Sequence, residues 1–120
     1  MGAKGVTLEL TLPWAPALNH LYRHVGHRVL VSREGRRYRA QVCEILAGLG
    51  VQPLAGPLSV EVELFPPDAR RRDVDGCAKA LLDALQAGGL YDDDSQIVKL
   101  QLEKLAPVPG GAVIVRVQKC

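Results

Sequence analysis

The segment LSVEVELF, residues 58–65, alternates apolar and polar residues without interruption and is followed at once by two prolines. Strict alternation is typical of a β-strand that buries one face, and proline cannot continue a strand ladder. A second alternating segment, VTLELTL at 6–12, is closed by PWAP. The chain must therefore build a sheet with one covered face, and it needs other elements to cover that face.

Two segments with helical spacing supply the cover. Apolar residues between 38 and 49 recur at helical intervals and predict a first helix over 33–48, with Ser32 as its N-cap. Apolar residues between 74 and 85 predict a second helix that begins near Asp73 and ends at Gly88 and Gly89.

The remaining elements are short. We expect a loop through Asn19, Tyr22 and His24, and then strands at 27–32, 96–104 and 112–118. The PVPGG segment between the last two strands suggests a hairpin. The order β-β-α-β-α-β-β predicts an α/β (α+β) fold in which one domain, residues 1–120, packs a mixed sheet against two helices.

Basic residues are concentrated in two places, although the net charge is only +2. Six arginines lie between residues 23 and 39, and three more occupy 70–72, so these stretches hold nine of the fifteen basic residues. Clustered arginine is the pattern expected for phosphate binding. The alternative is a solvated helix face and a basic loop.

The three cysteines, Cys43, Cys77 and Cys120, are widely spaced and form no CxxC pair. A disulfide framework or a zinc site is therefore disfavoured, and a reduced, cytoplasmic protein is predicted. No apolar run approaches the roughly 18 residues of a membrane span. The first residues lack the apolar region of a secretory leader.

Two acidic clusters flank the second predicted helix. Asp73 and Asp75 stand before it in RRRDVDG, and Asp92, Asp93 and Asp94 follow it in YDDDSQ. Asp73 alone fits an ordinary N-cap, and the later three fit a solvated turn. However, residues 88–94 can span the helix when extended. Three carboxylates that converged in this way would suit Mg²⁺ or Mn²⁺.

The neighbouring charges extend this metal-site hypothesis. Arg70, Arg71 and Arg72 would hold the phosphates around a cut made by metal-activated water. Lys79 would offset charge in the transition state, or else form an i,i+4 pair with Asp75 or Asp83. An EF-hand is excluded, since DVDG lacks the earlier acidic ligand and the closing glutamate. The residues alone indicate a metal-dependent phosphodiesterase.

The chain also resembles the RusA family of Holliday junction resolvases over nearly its whole length. The resemblance rests on five segments: LPWAPALNHLYRH, VSREGRRYR, RRRDVDG, KALLDAL and YDDDSQIV. The third is similar to the family's arginine-rich DxDN motif. Together with the last, it carries the most weight, because both combine several residue types at fixed spacing.

The resemblance implies a specific enzyme. Members are small homodimers that bind four-way DNA junctions and cut two strands symmetrically with Mg²⁺ or Mn²⁺, without an organic cofactor or a membrane. Carried over by position, the three catalytic aspartates correspond to Asp73, Asp75 and Asp94, which would bind the metal, and the functional lysine to Lys79. The arginines expected to contact DNA are Arg23, Arg28, Arg36, Arg37, Arg70, Arg71 and Arg72.

Other side chains in the resembling segments have two interpretations each. His24 and His27 would touch the junction arms or simply lie in a surface loop, which is favoured because Mg²⁺ prefers oxygen ligands. Tyr22 and Tyr91 would stack on bases or, as we expect, pack against the fold. Trp14 is expected in core or interface packing.

The chain departs from the family pattern at Gly76, where an asparagine usually follows the second aspartate. This glycine removes a polar side chain beside the predicted metal. A junction-binding protein with weak or no cleavage is therefore an alternative to the resolvase. A phosphohydrolase for small molecules is a third possibility, against which the nine clustered arginines argue.

Overall fold

The computed structural model describes residues 8–17 and 21–120. Within those ranges the chain forms two helices, a 3-10 turn and six strands. The helices are α1 (Arg33–Gly48) and α2 (Ala78–Ala87), and the 3-10 turn is Asp94–Gln96. The strands are β1 (Leu8–Leu12), β2 (Tyr22–Val25), β3 (Arg28–Val31), β4 (Leu58–Phe65), β5 (Ile97–Lys104) and β6 (Ala112–Lys119).

The main sheet has the order β1-β6-β4-β5 and is mixed. Strand β4 runs parallel to β5 and antiparallel to β6, and β6 pairs antiparallel with β1. Helix α2 connects β4 to β5. It therefore runs between opposite ends of these parallel strands, and its two ends lie at opposite ends of β5.

The core lies between the sheet and the helices, as predicted. Alternate residues of β4 and β6 are buried on one face, including Val60, Val62, Val115 and Val117. Helix α1 covers them with Tyr38, Val42 and Leu46, and α2 covers them with Leu81 and Leu85. Each fully buried aliphatic side chain contributes about 1.5–3 kcal/mol to this packing.

Several predicted boundaries are confirmed. Helix α1 and strand β4 have the predicted bounds, and Ser32 caps α1 by accepting a 3.0 Å hydrogen bond from the Gly35 amide. The observed β1 lies inside the predicted 6–12 strand, of which residues 6 and 7 fall outside the described part of the chain.

The loop predicted before residue 27 is wrong over 22–25, because these residues form β2. They pair with β3 in a hairpin whose turn includes Gly26, at a φ of 62°. A positive φ costs glycine little, and this allows a two-residue turn. Asn19, which belongs to the same predicted loop, lies outside the described residues.

The hairpin predicted between the last two strands is also wrong, because β4 lies between β5 and β6. The connecting segment crosses the end of β4. Its Leu105 amide donates to the Leu64 carbonyl and its Val108 amide to the Pro66 carbonyl, both at 2.8 Å. The connection is therefore held by β4, and β6 pairs on the far side of that strand.

The predicted start of the second helix at Asp73 is wrong by five residues. The Gly76 amide donates to the Asp73 carbonyl and the Ala78 amide to the Asp75 carbonyl, each at 3.1 Å. These i,i+3 bonds form a turn rather than an α-helix, and glycine disfavours helix at this position. The C-terminal prediction is confirmed, since α2 ends at Ala87 with Gly88 as its C-cap, and Gly89 follows with a φ of 85°.

No helix in residues 8–17 and 21–120 combines the length and apolar character needed to cross a bilayer.

Candidate active site

A cavity of about 1050 Å³ opens at the carboxyl end of β4. Four parts of the chain line it: the segment after β1, the first turns of α1, the loop 67–72, and the turn before α2. This arrangement follows from the topology, because the first turn of α1, the end of β4 and the start of α2 meet at one end of the domain. Its charged lining includes Arg37, the arginines 70–72, Asp73 and Asp75.

The two aspartates in this lining have exposed side chains without partners among the described residues. The helix starts too late for Asp73 to cap it, and the N-cap position is Cys77, which makes no side-chain cap bond. Neither Asp73 nor Asp75 forms a side-chain hydrogen bond or ion pair with the described part of the chain. The N-cap alternative is therefore wrong, and both carboxylates are available to an external cation.

Asp68 organises two of the three arginines beside them. Its carboxylate accepts hydrogen bonds from the guanidinium groups of Arg72 at 2.7 Å and Arg70 at 3.0 Å. These bonds, that from Arg72 above all, hold the pKa of Asp68 well below its usual range. Arg72 also lies over the Trp14 ring, 5.8 Å from its centroid. Ion pairs this exposed stabilise a fold little, so their main effect is to orient the arginines.

Two further arginines are less constrained. Arg71 is exposed and has no side-chain partner among residues 8–17 and 21–120. Arg37, on α1, is also exposed and lines the same cavity. The two basic stretches of the sequence thus meet in one place, beside two unpartnered carboxylates. Guanidinium groups in this position suit a phosphodiester.

The remaining predicted DNA contacts lie on α1 and the hairpin. Arg36 is exposed and donates to the Val31 carbonyl at 3.2 Å. Arg23 and Arg28 are exposed on the β2–β3 hairpin, where the pairing places them on one face. His24 and His27 are exposed in the same hairpin.

Asp94 is not brought to this cavity. It begins the 3-10 turn, and its amide donates at 3.0 Å to the side chain of Gln86, near the end of α2. Asp73 and Asp75 precede that helix, whose ten residues span about 15 Å. Among the described residues, no three His, Cys, Asp or Glu side chains are grouped closely enough to hold a metal. The convergence of Asp94 with Asp73 and Asp75 therefore stays a prediction: Asp94 does not line the cavity, although its charge, after that of Asp83, contributes to raising the pKa of Lys79 in the first turn of α2.

Lys79 lies in the first turn of α2 but does not line the cavity. Its ammonium donates to the Asp83 carboxylate at 3.2 Å, and this bond raises the pKa of Lys79. Of the two i,i+4 partners considered from the sequence, Asp83 is the one observed. Half of the Lys79 side chain remains exposed, so the pair leaves the amine accessible to a ligand.

The DDSQ segment has a structural role that the sequence analysis missed. Asp93 caps the 3-10 turn by accepting from the Ser95 amide at 2.8 Å, which lowers the pKa of Asp93. The Gln96 side chain accepts from the amides of Asp92 and Asp93 and donates to the carbonyls of Leu54 and Gly56. The signal was present, because Asp-x-x-Gln is the pattern of a reciprocal capping box.

Three potentially reactive side chains are buried and occupied, and two of them, Cys77 and Tyr38, line the cavity. Burial raises the pKa of the Cys77 thiol to about 11, and the thiol contacts the Ala15 carbonyl at 3.2 Å. The hydroxyl of Tyr38 donates to the Pro13 carbonyl at 3.0 Å. Tyr91 donates to a carbonyl of α2 at 2.7 Å and is 1% exposed. These groups pack the fold, as expected for Tyr91.

Gly76 lines the cavity between the two aspartates and the helix. A Cβ placed on it would lie 3.3 Å from the Asp73 carbonyl oxygen and would meet no other atom within 4 Å. The family's asparagine would therefore fit here with a small adjustment and would add a polar group to the cavity.

The comparisons with known proteins show which family this chain is similar to. The family model described as "Endodeoxyribonuclease RusA" matches residues 13–118. The chain is 41% identical, over 106 residues, to the "Crossover junction endodeoxyribonuclease rusA" of Enterobacteria phage 82, and the match covers 88% of each protein. Identity and coverage are the same for the Escherichia coli K12 protein. The Shigella sonnei protein is 40% identical over the same length.

Proposed function

The chain belongs to the RusA family of crossover junction endodeoxyribonucleases, and from this premise we propose how it resolves four-way DNA junctions. It acts as a homodimer that makes paired nicks, and the nicks depend on Mg²⁺ or Mn²⁺. We also propose a cytoplasmic location, supported by three free cysteines and no disulfide in the described residues.

The proposal rests on the exposure of two carboxylates and on their lack of partners among the described residues. Within the described part of the chain, Asp73 and Asp75 stand unpartnered and exposed in a cavity that four arginines also line. Carboxylate oxygens are the donors that Mg²⁺ and Mn²⁺ prefer. A purely structural aspartate pair would be expected to cap backbone amides or to pair with a neighbouring arginine, and these two do neither.

The proposed ligands of the metal are Asp73, Asp75 and Asp94. A divalent cation held there would supply an activated water and would neutralise charge that develops on the phosphate. Arg71 and Arg37 bind the phosphates on either side of the cut, while Asp68 holds the guanidinium groups of Arg70 and Arg72, which line the same cavity. Lys79 offsets negative charge close to the second aspartate.

The homodimer is proposed on grounds of symmetry and of distance. Two equivalent cuts in a two-fold symmetric junction need two equivalent sites, which an isologous dimer provides. The Asp94 amide bonds to Gln86, near the C-terminal end of α2, and Asp94 does not line the cavity that holds Asp73 and Asp75. We propose that each site combines Asp73 and Asp75 with Asp94 of the partner subunit.

A second candidate function is junction binding without efficient cleavage. Gly76 favours it, because this position lacks the polar side chain that the family usually places beside the metal. The two candidates share the arginine-lined cavity and differ only in the metal-dependent step.

A nicking assay separates them. An end-labelled four-way junction and a linear duplex of matched sequence are incubated with Mg²⁺, Mn²⁺ or EDTA, with the Asp75→Asn variant as control. We expect paired, ligatable nicks in the junction alone, only with metal and only with the unchanged protein. Tight junction binding without nicks at any metal concentration would favour the second candidate. Equal cleavage of linear duplex would refute junction selectivity.

A further inference from the structure

The active-site cavity has an apolar side that the proposed cleavage chemistry does not use. Arginines and aspartates form its charged side, whereas residues 14–17 and Pro67 line it with apolar groups. A divalent cation and a phosphodiester are bound by charged and polar groups. At about 1050 Å³, the cavity is also as large as pockets that enclose whole organic ligands, roughly 300–1,000 Å³. The apolar side therefore has room for a further part of the DNA.

Trp14 is the main aromatic group on this apolar side, and it is the only tryptophan in the chain. It is half-buried, because part of its side chain packs against the core, as expected from the sequence. The Arg72 guanidinium lies over the ring, 5.8 Å from the centroid, and Arg72 lines the same cavity. Aromatic rings and guanidinium planes are both surfaces on which proteins stack nucleobases.

Arg72 is better suited to stacking than to phosphate binding. Its Nη1 donates to the Asp68 carboxylate at 2.7 Å and to the carbonyls of Asp68 and Arg70 at 3.1 and 3.3 Å. Only 21% of the Arg72 side chain is exposed, against 79% for Arg70. A phosphate is held by the N–H edge of a guanidinium, which is partly occupied here, whereas a base contacts the face. Arg71 and Arg37 remain for the phosphates.

The backbone that carries Trp14 is held in place before any ligand binds. The carbonyls on either side of it accept hydrogen bonds, one from the Tyr38 hydroxyl at 3.0 Å and one from the Cys77 thiol at 3.2 Å. Gly111 lies directly against the tryptophan, since a Cβ on this glycine would be 2.9 Å from the Trp14 Cβ. An aromatic group that is already fixed loses little conformational entropy when a ligand stacks on it.

We propose that the apolar side of the cavity is a nucleobase pocket, which takes one unstacked base of the junction beside the phosphate that is cut. The base lies against the stack of Trp14 and Arg72, while Arg71 and Arg37 hold phosphates of the same strand. The assignment rests on the proposed function, because it takes the four-way junction as the ligand. It does not depend on the metal.

Such a pocket gives a physical reason for selectivity between junction and duplex. The arginines contact phosphates, and phosphate contacts carry little information about where a strand lies. A base at the point of strand exchange lacks a continuous stack, so it enters a pocket at a lower cost than a base inside a linear duplex, which must first be unstacked and unpaired. A nucleobase pocket beside the cut therefore favours the crossover.

The fluorescence of Trp14 tests the pocket directly, in EDTA and without cleavage. Three DNAs are compared at equal saturation, which is followed by the anisotropy of a dye on the DNA. They are a four-way junction, the same junction with abasic sites beside the crossover, and a linear duplex of matched sequence. The intact junction should quench the emission at least about twofold, because a base then lies against the indole ring, and the other two should quench it little.

Two results of this titration would overturn the proposal. One is the absence of quenching when the protein is saturated with the intact junction. The other is quenching by the abasic junction or by the linear duplex that equals quenching by the intact junction, because the signal would then not come from an unstacked base at the crossover.

Substitutions at Trp14 separate stacking from packing. Trp14→Leu keeps an apolar side chain against the core but removes the aromatic ring. It should weaken binding of the intact junction about tenfold, the usual scale for the loss of one stacked base, and should leave binding of the abasic junction within about threefold. Trp14→Phe, which keeps a ring, should bind both DNAs nearly as the unchanged protein does. Equal losses on the two DNAs would mean that Trp14 acts through packing alone, and would refute the pocket.

Tyr22→Leu is the matched control, because it removes an aromatic ring that also packs against the core but does not line the cavity. It should affect the intact and the abasic junction equally. A selective loss on the intact junction as large as that of Trp14→Leu would contradict the assignment to this cavity. If the Trp14 result is as expected and the nicking assay fails, the pocket stands and the metal proposal falls. If nicking succeeds without a selective Trp14 effect, the pocket falls and the nuclease stands.

Discussion

The two acidic segments at the ends of α2 have similar sequences but different environments. Before the helix, Asp73 and Asp75 form no side-chain bonds with the described residues and line an arginine-rich cavity. After the helix, Asp93 and Gln96 form a capping box, and the Gln96 side chain also donates to two carbonyls in the connection between α1 and β4. One segment leaves its polar groups free for a ligand, and the other uses them to hold the chain.

The difference shows that an aspartate cluster is not in itself a site. A carboxylate placed beside free backbone amides is consumed by capping. One in a turn whose amides are already bonded to carbonyls is left free. The first case describes Asp93, and the second describes Asp73 and Asp75, whose turn is closed by i,i+3 backbone bonds. Asp94 belongs to the segment after the helix, but the side chain that caps the turn there is that of Asp93.

The largest expected effect comes from the first segment. Asp73→Asn should reduce junction nicking roughly 10²- to 10³-fold, because it removes a carboxylate that is proposed to bind the metal. Junction binding without metal should persist, since the arginines are unchanged. The measurement is single-turnover nicking beside a gel-shift titration in EDTA.

Asp93→Asn is the matched control for that variant. Asparagine keeps an oxygen that can accept from the Ser95 amide, so the turn should form and nicking should stay within a few-fold of the unchanged protein. If the two variants were equally inactive, the division between a free and a structural segment would be incorrect.

A mixed-dimer experiment sharpens the same comparison at Asp94. Asp75→Asn and Asp94→Asn subunits, each expected to be inactive alone, are mixed at equal concentration. If Asp94 serves the partner's site, each mixed dimer has one intact site, and nicking should return to about a quarter of the normal rate, since half the dimers are mixed. The nicks should be single and not paired.

The contrary result is equally clear. If Asp94 served its own subunit, both sites of a mixed dimer would lack one aspartate and no nicking would return. A mixture labelled with two affinity tags, purified in sequence, confirms that mixed dimers are present before the assay.

Local patterns predicted much of this molecule. The alternation in β4 and the helical spacing of α1 gave the observed bounds, because both depend on which face of one segment is buried. Strand β2 was missed, since YRHV has no clear alternation and depends on its pairing with β3. The predicted hairpin between β5 and β6 was wrong, because β4 lies between these two strands in the sheet. Which strands become neighbours depends on contacts between segments that are far apart in the sequence.

The site likewise has residues whose common location the local sequence predicted and residues whose location it did not. Arg70–72, Asp73 and Asp75 are adjacent in sequence, so their common location was predictable. Arg37 joins them because α1 packs beside the start of α2, and clustering of arginine was its only signal. The position of Asp94 depends on the path of the chain after α2, which contiguity in sequence does not reveal.

The third prediction concerns the segment after α2, in which Asp93 and Gln96 form the capping box. Gln96→Ala should lower the free energy of unfolding by about 1–2 kcal/mol, because it removes four partly exposed hydrogen bonds, each worth about 0.5–1.5 kcal/mol before the exposed bonds are discounted. Urea denaturation measures it. Asp73→Ala should leave the urea midpoint unchanged or raise it. A larger loss from Asp73→Ala than from Gln96→Ala would contradict the assignment of roles.

The smallest expected effect is at Asp68, which holds the arginines beside the free segment. Because Arg72 and Arg70 lower its pKa in the folded state, the unfolded chain binds a proton at higher pH than the folded chain does. This contribution to stability is therefore complete above the ordinary aspartate pKa of about 3.9, and it is lost as the pH falls through the lower folded value. Asp68→Asn should have a lower urea midpoint than the unchanged protein at pH 7, and the difference should shrink between pH 4 and pH 2.

Asp92→Asn, the same change at an aspartate that accepts no hydrogen bond from the described residues, should show no such convergence. Added salt should reduce the difference at pH 7, since exposed ion pairs are screened, and a difference that stayed constant from pH 7 to pH 2 would mean that Asp68 acts through packing and not through its charge.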